Sequence, residues 1–132
     1  MINFQVRIPK KHKACARLIR WRKIKELVLK KKYDLSAVLA GDKEMRRVEK
    51  ISRHKKRANV LSFGYSKNSG EILLNIPFIR HEAKTLGQPF KERLMYLYIH
   101  ALLHLKGYGH KKLKDERKML KEEKRYMTKS GF

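Results

Sequence analysis

Phe90-Lys91-Glu92-Arg93-Leu94-Met95-Tyr96-Leu97-Tyr98-Ile99-His100-Ala101-Leu102-Leu103-His104-Leu105-Lys106 is the stretch on which the fold turns. From Leu94 to Leu105 only two histidines interrupt an apolar run. A helix with almost no polar face is buried on most sides, so other elements must surround it. Gly107 stops it, because glycine enters the left-handed conformation that ends helices without a Cβ penalty.

Working back toward the N-terminus, Gly87-Gln88-Pro89 is a break, and Pro77 is well placed in the first turn of a short helix to about Leu86. Asn59 to Tyr65 and Glu71 to Ile76 read as two strands joined by the turn Ser66-Lys67-Asn68-Ser69-Gly70. Tyr33 to Ala40 is another strand. After the break at Gly41, Asp42 is placed to cap a basic helix to about Ser52, with Met45, Val48 and Ile51 as its inner face. Ile2 to Ile8 alternates apolar and polar residues, the pattern of a half-buried strand, and Pro9 ends it. From Lys10 to Lys32, Ala14, Leu18, Trp21, Ile24 and Val28 form one stripe at helical spacing. Lys112 to about Met127 is an amphipathic helix of mixed charge, read as a solvated cover. The order β-α-β-α-β-β-α-α-α predicts an α+β fold: a small mixed β-sheet of about four strands with helices packed against it. Residues 1–132 fit one domain.

The charge is lopsided, with 35 Lys and Arg against 12 Asp and Glu and a net charge of +23. Such an excess opposes compaction unless counter-charges are close, and nucleic acid is the simplest source of them. Lys10 to Lys32 alone holds eleven Lys and Arg against Glu26, either a solvated face or a phosphate-facing one. Arg53-His54-Lys55-Lys56-Arg57 is a basic loop. The candidate nucleic-acid contacts are Arg20, Lys23, Arg53, Lys55, Lys56 and Arg57. The one cysteine, Cys15, excludes an internal disulfide and suits a reducing cytosol; it reads as a small packed residue. No secretory signal and no membrane-spanning run is present, which predicts a soluble cytoplasmic protein with no membrane partner.

Three of the six histidines fall within eleven residues, at His100, His104 and His110. Residues four apart share a helix face, so His100 and His104 can aim two imidazoles at one point. The turn at Gly107 can return His110 as a third ligand. Neutral imidazole suits zinc, and three protein ligands leave a fourth position open, as in catalytic rather than structural sites. The expected cofactor is therefore one Zn2+ per chain. His12, His54 and His81 stand apart and read as surface residues. The spacing also matches the metzincin signature His-Glu-x-x-His-x-x-Gly-x-x-His, whose Glu is the general base. Here that position is Ala101, and a methyl group takes no proton, which disfavours a peptidase.

These residues resemble the YbeY-type endoribonucleases, or rRNA maturation factors, whose signature reads His-Gly-x-Leu-His-Leu-x-Gly-Tyr-Asp-His. The match lies at His100, Leu103, His104, Leu105, Gly107, Tyr108 and His110. Two more family features appear in order, Asn59-Val60-Leu61-Ser62-Phe63 and Gly70-Glu71-Ile72. The departures are Ala101 for Gly, Gly109 for the Asp before the last histidine, and Gly64 for the usual Pro. The loop before Asn59 is also one residue short, so Arg53 is the nearest match to the family's active-site arginine and Arg57 the alternative. The resemblance implies a single-strand-specific, metal-dependent endoribonuclease acting in 16S rRNA 3′-end maturation and ribosome quality control. Its partners would be single-stranded RNA, chiefly rRNA, and the ribosome or its small subunit, with no DNA specificity. It implies Arg53 and His100 as catalytic residues, with a metal-bound water and the arginine acting at the phosphate; the substrate 2′-hydroxyl is the other candidate nucleophile. A non-enzymatic RNA- or ribosome-binding factor with a structural zinc is the alternative.

Overall fold

The computed structural model describes residues 4–53, 56–108 and 113–131. Four strands form one mixed sheet: β1 (Phe4–Arg7), β2 (Asp34–Ala40), β3 (Val60–Ser66) and β4 (Ser69–Asn75), in the order β1-β2-β4-β3. β1 pairs parallel with β2, β2 parallel with β4, and β3 antiparallel with β4. The helices are α1 (Trp21–Leu29), α2 (Asp42–Ile51), α3 (Ile76–Leu86), α4 (Phe90–Lys106) and α5 (Leu113–Lys129).

Strand alternation divides the core between the two faces of the sheet. Leu35, Ala37, Leu39, Ile72 and Leu74 join the larger cluster, with α1, α3, α4 and α5. Val38, Ala40 and Leu73 face the other way, onto Met45 of α2. The central parallel strands are thus apolar on both faces, as a sheet covered on both sides requires. Ile51, expected on the inner face of α2, is the last residue of that helix and is 76% exposed.

The segment 10–32 is not one helix. A 3-10 segment covers Lys10–Arg17, the chain turns at Arg20, and α1 starts at Trp21. Lys30 ends α1 with a positive φ of 73°. The reason is length. A helix of 23 residues would run about 34 Å, whereas strands of four to seven residues span roughly 13–24 Å. The β1-to-β2 crossover has to return within that span. The broken segment buries His12, contrary to its expected surface position, beside Gly41. Burial, reinforced by the Arg80 and Lys11 charges, holds its imidazole below the ordinary pKa. Cys15 is buried, as expected, with the Arg80 guanidinium 3.6 Å from its sulfur. Lys25, one of the eleven cations, turns inward and donates to the Lys31 carbonyl at 3.1 Å.

Asp42 does not cap α2. Gly41 occupies that position without a side-chain cap, and Asp42 sits in the first turn, where a carboxylate complements the helix dipole. It pairs with Arg57 and Arg46 and accepts from Asn75. The β3–β4 turn is tighter than expected, with only Lys67 and Asn68 between the strands. α3 follows its sequence signals: Asn75 accepts from the Phe78 amide at 3.2 Å, Pro77 lies in the first turn, and Gly87 takes the left-handed cap. Among the described residues no helix is long and apolar enough to cross a membrane.

Gly70 and Gly64 seat the end of α4 on the hairpin. A Cβ at Gly70 would stand 2.5 Å from the Tyr33 hydroxyl, 2.9 Å from the Phe63 carbonyl and 3.0 Å from Leu105. At Gly64 the nearest contact would also be Leu105, at 3.8 Å. Gly70→Ala is therefore expected to cost about 1–3 kcal/mol through overpacking, read as a lower urea midpoint at unchanged m-value. Gly64→Ala should cost much less.

Candidate metal centre

α4 places Arg93, Tyr96, His100 and His104 along one face, at spacings of three and four residues. The His100 and His104 rings meet edge to face, 4.6 Å between centroids, with their Nε2 atoms 3.1 Å apart. The opposite nitrogen of each ring is held. His100 Nδ1 lies 2.6 Å from the Glu123 carboxylate, and His104 Nδ1 lies 3.1 Å from the Tyr108 carbonyl. Both partners are acceptors, so in the neutral rings Nδ1 is the nitrogen that carries the proton, which leaves Nε2 for ligation. Gly107 makes the second anchor: its left-handed cap, φ 118°, turns Tyr108 back so that the Tyr108 amide donates to Leu103 while its carbonyl faces His104.

Two converging imidazole lone pairs repel unless a cation or a proton lies between them. Two nitrogens of a tetrahedral zinc, each bound at about 2.0–2.1 Å, would be roughly 3.3 Å apart, close to the separation found here. The pair therefore fits two corners of such an ion. Among the described residues no group of three His, Cys, Asp or Glu side chains is arranged to hold a metal ion. The third expected ligand, His110, and its neighbour Gly109 lie outside the described residues.

Glu123 carries no mark as a site residue in the sequence. It sits on α5, which does cover α4 as expected but also sends this carboxylate into the site. Its one signal is spacing: Met119, Glu123 and Tyr126 share the buried face of α5. Glu123 is only 3% exposed and also accepts from the Tyr96 hydroxyl. Burial and the Glu123 charge push Tyr96 up to about 12, so it stays a proton donor to the carboxylate. A carboxylate behind a ligating histidine fixes the ring and raises its basicity.

The histidines line a cleft of about 350 Å³ whose opposite wall is Asn59 to Phe63 on the edge strand β3. Two of the three sequence motifs thus face each other, while the third, at Gly70, supports them from behind. Asn59 is tied in place by its amide donating to Glu82, which also pairs with Arg93 at 2.7 Å. Ala101 lines the cleft, so a methyl stands where a zinc peptidase holds its general base.

The basic candidates lie elsewhere. Arg53 follows α2 with a positive φ of 58° and is exposed, and neither it nor Arg57 is among the residues lining the cleft. Arg57, paired with Asp42, borders a separate pocket beside Pro77, Phe78 and His81. Lys56 is exposed, and Lys55, like His54, lies outside the described residues. Arg20 and Lys23 border a groove at the start of α1.

Fold and site define an α+β domain that presents a histidine pair from a buried helix against an edge strand. The model of the family "Endoribonuclease YbeY" matches residues 3–131, and the chain belongs to that family. It is 31% identical to an endoribonuclease YbeY of Lacticaseibacillus casei over 122 residues, 82% of this chain and 80% of the relative. It is 34% identical to that of Pelagibacter ubique over 102 residues, 70% of this chain and 67% of the relative. The solution structure of TM1509 from Thermotoga maritima shares the fold, with a TM-score of 0.68 at 23% identity, covering 98% of this chain and 89% of that one.

Proposed function

We propose that the chain is a metal-dependent endoribonuclease that cuts single-stranded RNA in the maturation of rRNA, including the 16S 3′ end, and in ribosome quality control. The observation that carries this reading is the His100–His104 pair, with both Nε2 atoms turned into one cleft and both Nδ1 atoms anchored. His100, His104 and His110 would hold one zinc ion. When bound, zinc supplies Lewis acidity toward a phosphoryl oxygen and a bound water. Glu123 and the Tyr108 carbonyl keep the two rings in the ligating tautomer. Ala101 leaves the cleft without a carboxylate base, which favours phosphodiester over peptide chemistry. The wall at Asn59–Phe63 confines the chain lying in the cleft, and the +23 charge gathers a polyanion around it. Arg53 is proposed as the arginine that reaches the phosphate, through paired hydrogen bonds, once RNA is bound; Lys55, Lys56 and Arg57 are proposed as further RNA contacts.

The test is cleavage of an oligoribonucleotide, alone and annealed to its complement. Cleavage of the single strand, lost on chelation and restored by zinc, is expected. Undiminished cleavage by metal-free protein contradicts the proposal. RNA binding without cleavage under all metal conditions favours a non-enzymatic factor.

A further inference from the structure

The histidine cleft is one of several concave surfaces among the described residues. Another is a groove of about 670 Å³ bordered by Arg17, Arg20, Lys23, Lys91 and Lys129, with no Asp or Glu among its lining residues. Ile24, Leu27 and Met95 form its apolar floor. Among the described residues Arg17, Arg20, Lys23 and Lys129 make no ion pair with a carboxylate. All five cationic side chains are exposed. They come from three stretches of the chain: the end of the 3-10 segment with the start of α1, the start of α4 and the end of α5. Like charges brought together by the fold repel one another unless a polyanion neutralises them.

The groove is not an extension of the cleft. At 3.6 residues per turn, Lys91 and Met95 point about 180° away from His100 and His104 around α4, and the two sets are roughly 13 Å apart along its axis. A polymer held at both must pass around the helix.

We infer that this groove is a second RNA site, which grips the sugar-phosphate backbone of a single strand at a distance from the cleft. The inference rests on RNA as the partner of the proposed function. Apart from the Ser130 hydroxyl the neutral lining is apolar and the rest is cationic, so the groove is built chiefly to hold charge. A flexible polyanion fits it better than an acidic protein surface, because the cations line a concavity and cover no flat face. Its span suits a few nucleotides, within the range of about 4–16 bound by single-strand sites of this size.

The test is binding of the full-length protein to a 2′-O-methyl oligouridine of about twenty nucleotides across a series of salt concentrations. Arg17→Gln with Lys129→Gln should lower the slope of log affinity against log salt by about 1.4, at roughly 0.7 per lost phosphate contact, and weaken binding about tenfold at low salt. Arg17→Lys with Lys129→Arg should keep both values. An unchanged slope and affinity in the neutral pair overturns the inference, as does an equal loss in the charge-conserving pair. Loss of polyglutamate binding with RNA binding intact would assign the groove to an acidic protein instead. Because the readout is binding, failure of the cleavage chemistry leaves the result interpretable, and an unchanged slope removes the groove without touching that chemistry.

Discussion

His104→Ala is expected to abolish zinc binding and to lower RNA cleavage by about three orders of magnitude or more, on the order of 4 kcal/mol of barrier. The fold should survive. His104 is only partly buried near the end of α4, and alanine is the better helix former. Its imidazole is held by the Tyr108 carbonyl and faces His100. The far-ultraviolet circular dichroism should therefore match that of the parent, and RNA affinity should change little, since the cations stay in place. A variant that loses zinc but cleaves at the parental rate would show that the histidine pair is not the centre of the chemistry.

The second large effect is expected at Glu123. Replacing it with Gln keeps its size and an acceptor oxygen but removes the charge that stands 2.6 Å behind His100. Carboxylates in this position typically contribute 10–100-fold to metal affinity, and a loss of about that size is expected for zinc. Glu123 does not line the cleft, so it is a positioning residue and its loss should be compensated. Cleavage by Glu123→Gln should return to near the parental rate at raised zinc concentration, whereas His104→Ala should not recover. Glu123→Ala should also leave the Tyr96 hydroxyl without its carboxylate partner, and lose stability as well as zinc. Competition against a zinc-chelating dye measures the affinity. Unchanged zinc affinity in Glu123→Gln would remove Glu123 from the site.

Most of the frame was legible in the sequence because local pattern and global packing agree there. The alternation at Phe4–Arg7, the apolar run at Asp34–Ala40, the Pro77 and Gly87 signals around α3, and the glycine stop of α4 each correspond to an observed element. The i, i+4 spacing of His100 and His104 was enough to predict that their rings meet. What stayed hidden depends on contacts distant in sequence. The break before Trp21 is set by the length of the sheet that the crossover must match. His12 is buried in a setting that the fold assembles from distant parts of the chain, with Gly41 beside it and the Arg80 charge acting on it. Asp42 left its expected capping role for Arg57, fifteen residues away. Glu123 was hard to single out, since α5 is rich in Lys and Glu and only its spacing with Met119 and Tyr126 marks it as the carboxylate that turns inward. The groove on the far side of α4 gathers cations from three separated segments, so no local window contains it.

The most direct test of the central claim is the zinc content of the purified full-length protein by mass spectrometry under native conditions, for the parent and for the His100→Ala, His104→Ala double variant. About one zinc per parental chain and none in the folded double variant is the predicted result. Equal zinc in both proteins, or a zinc-free parent that still cuts RNA, would contradict it.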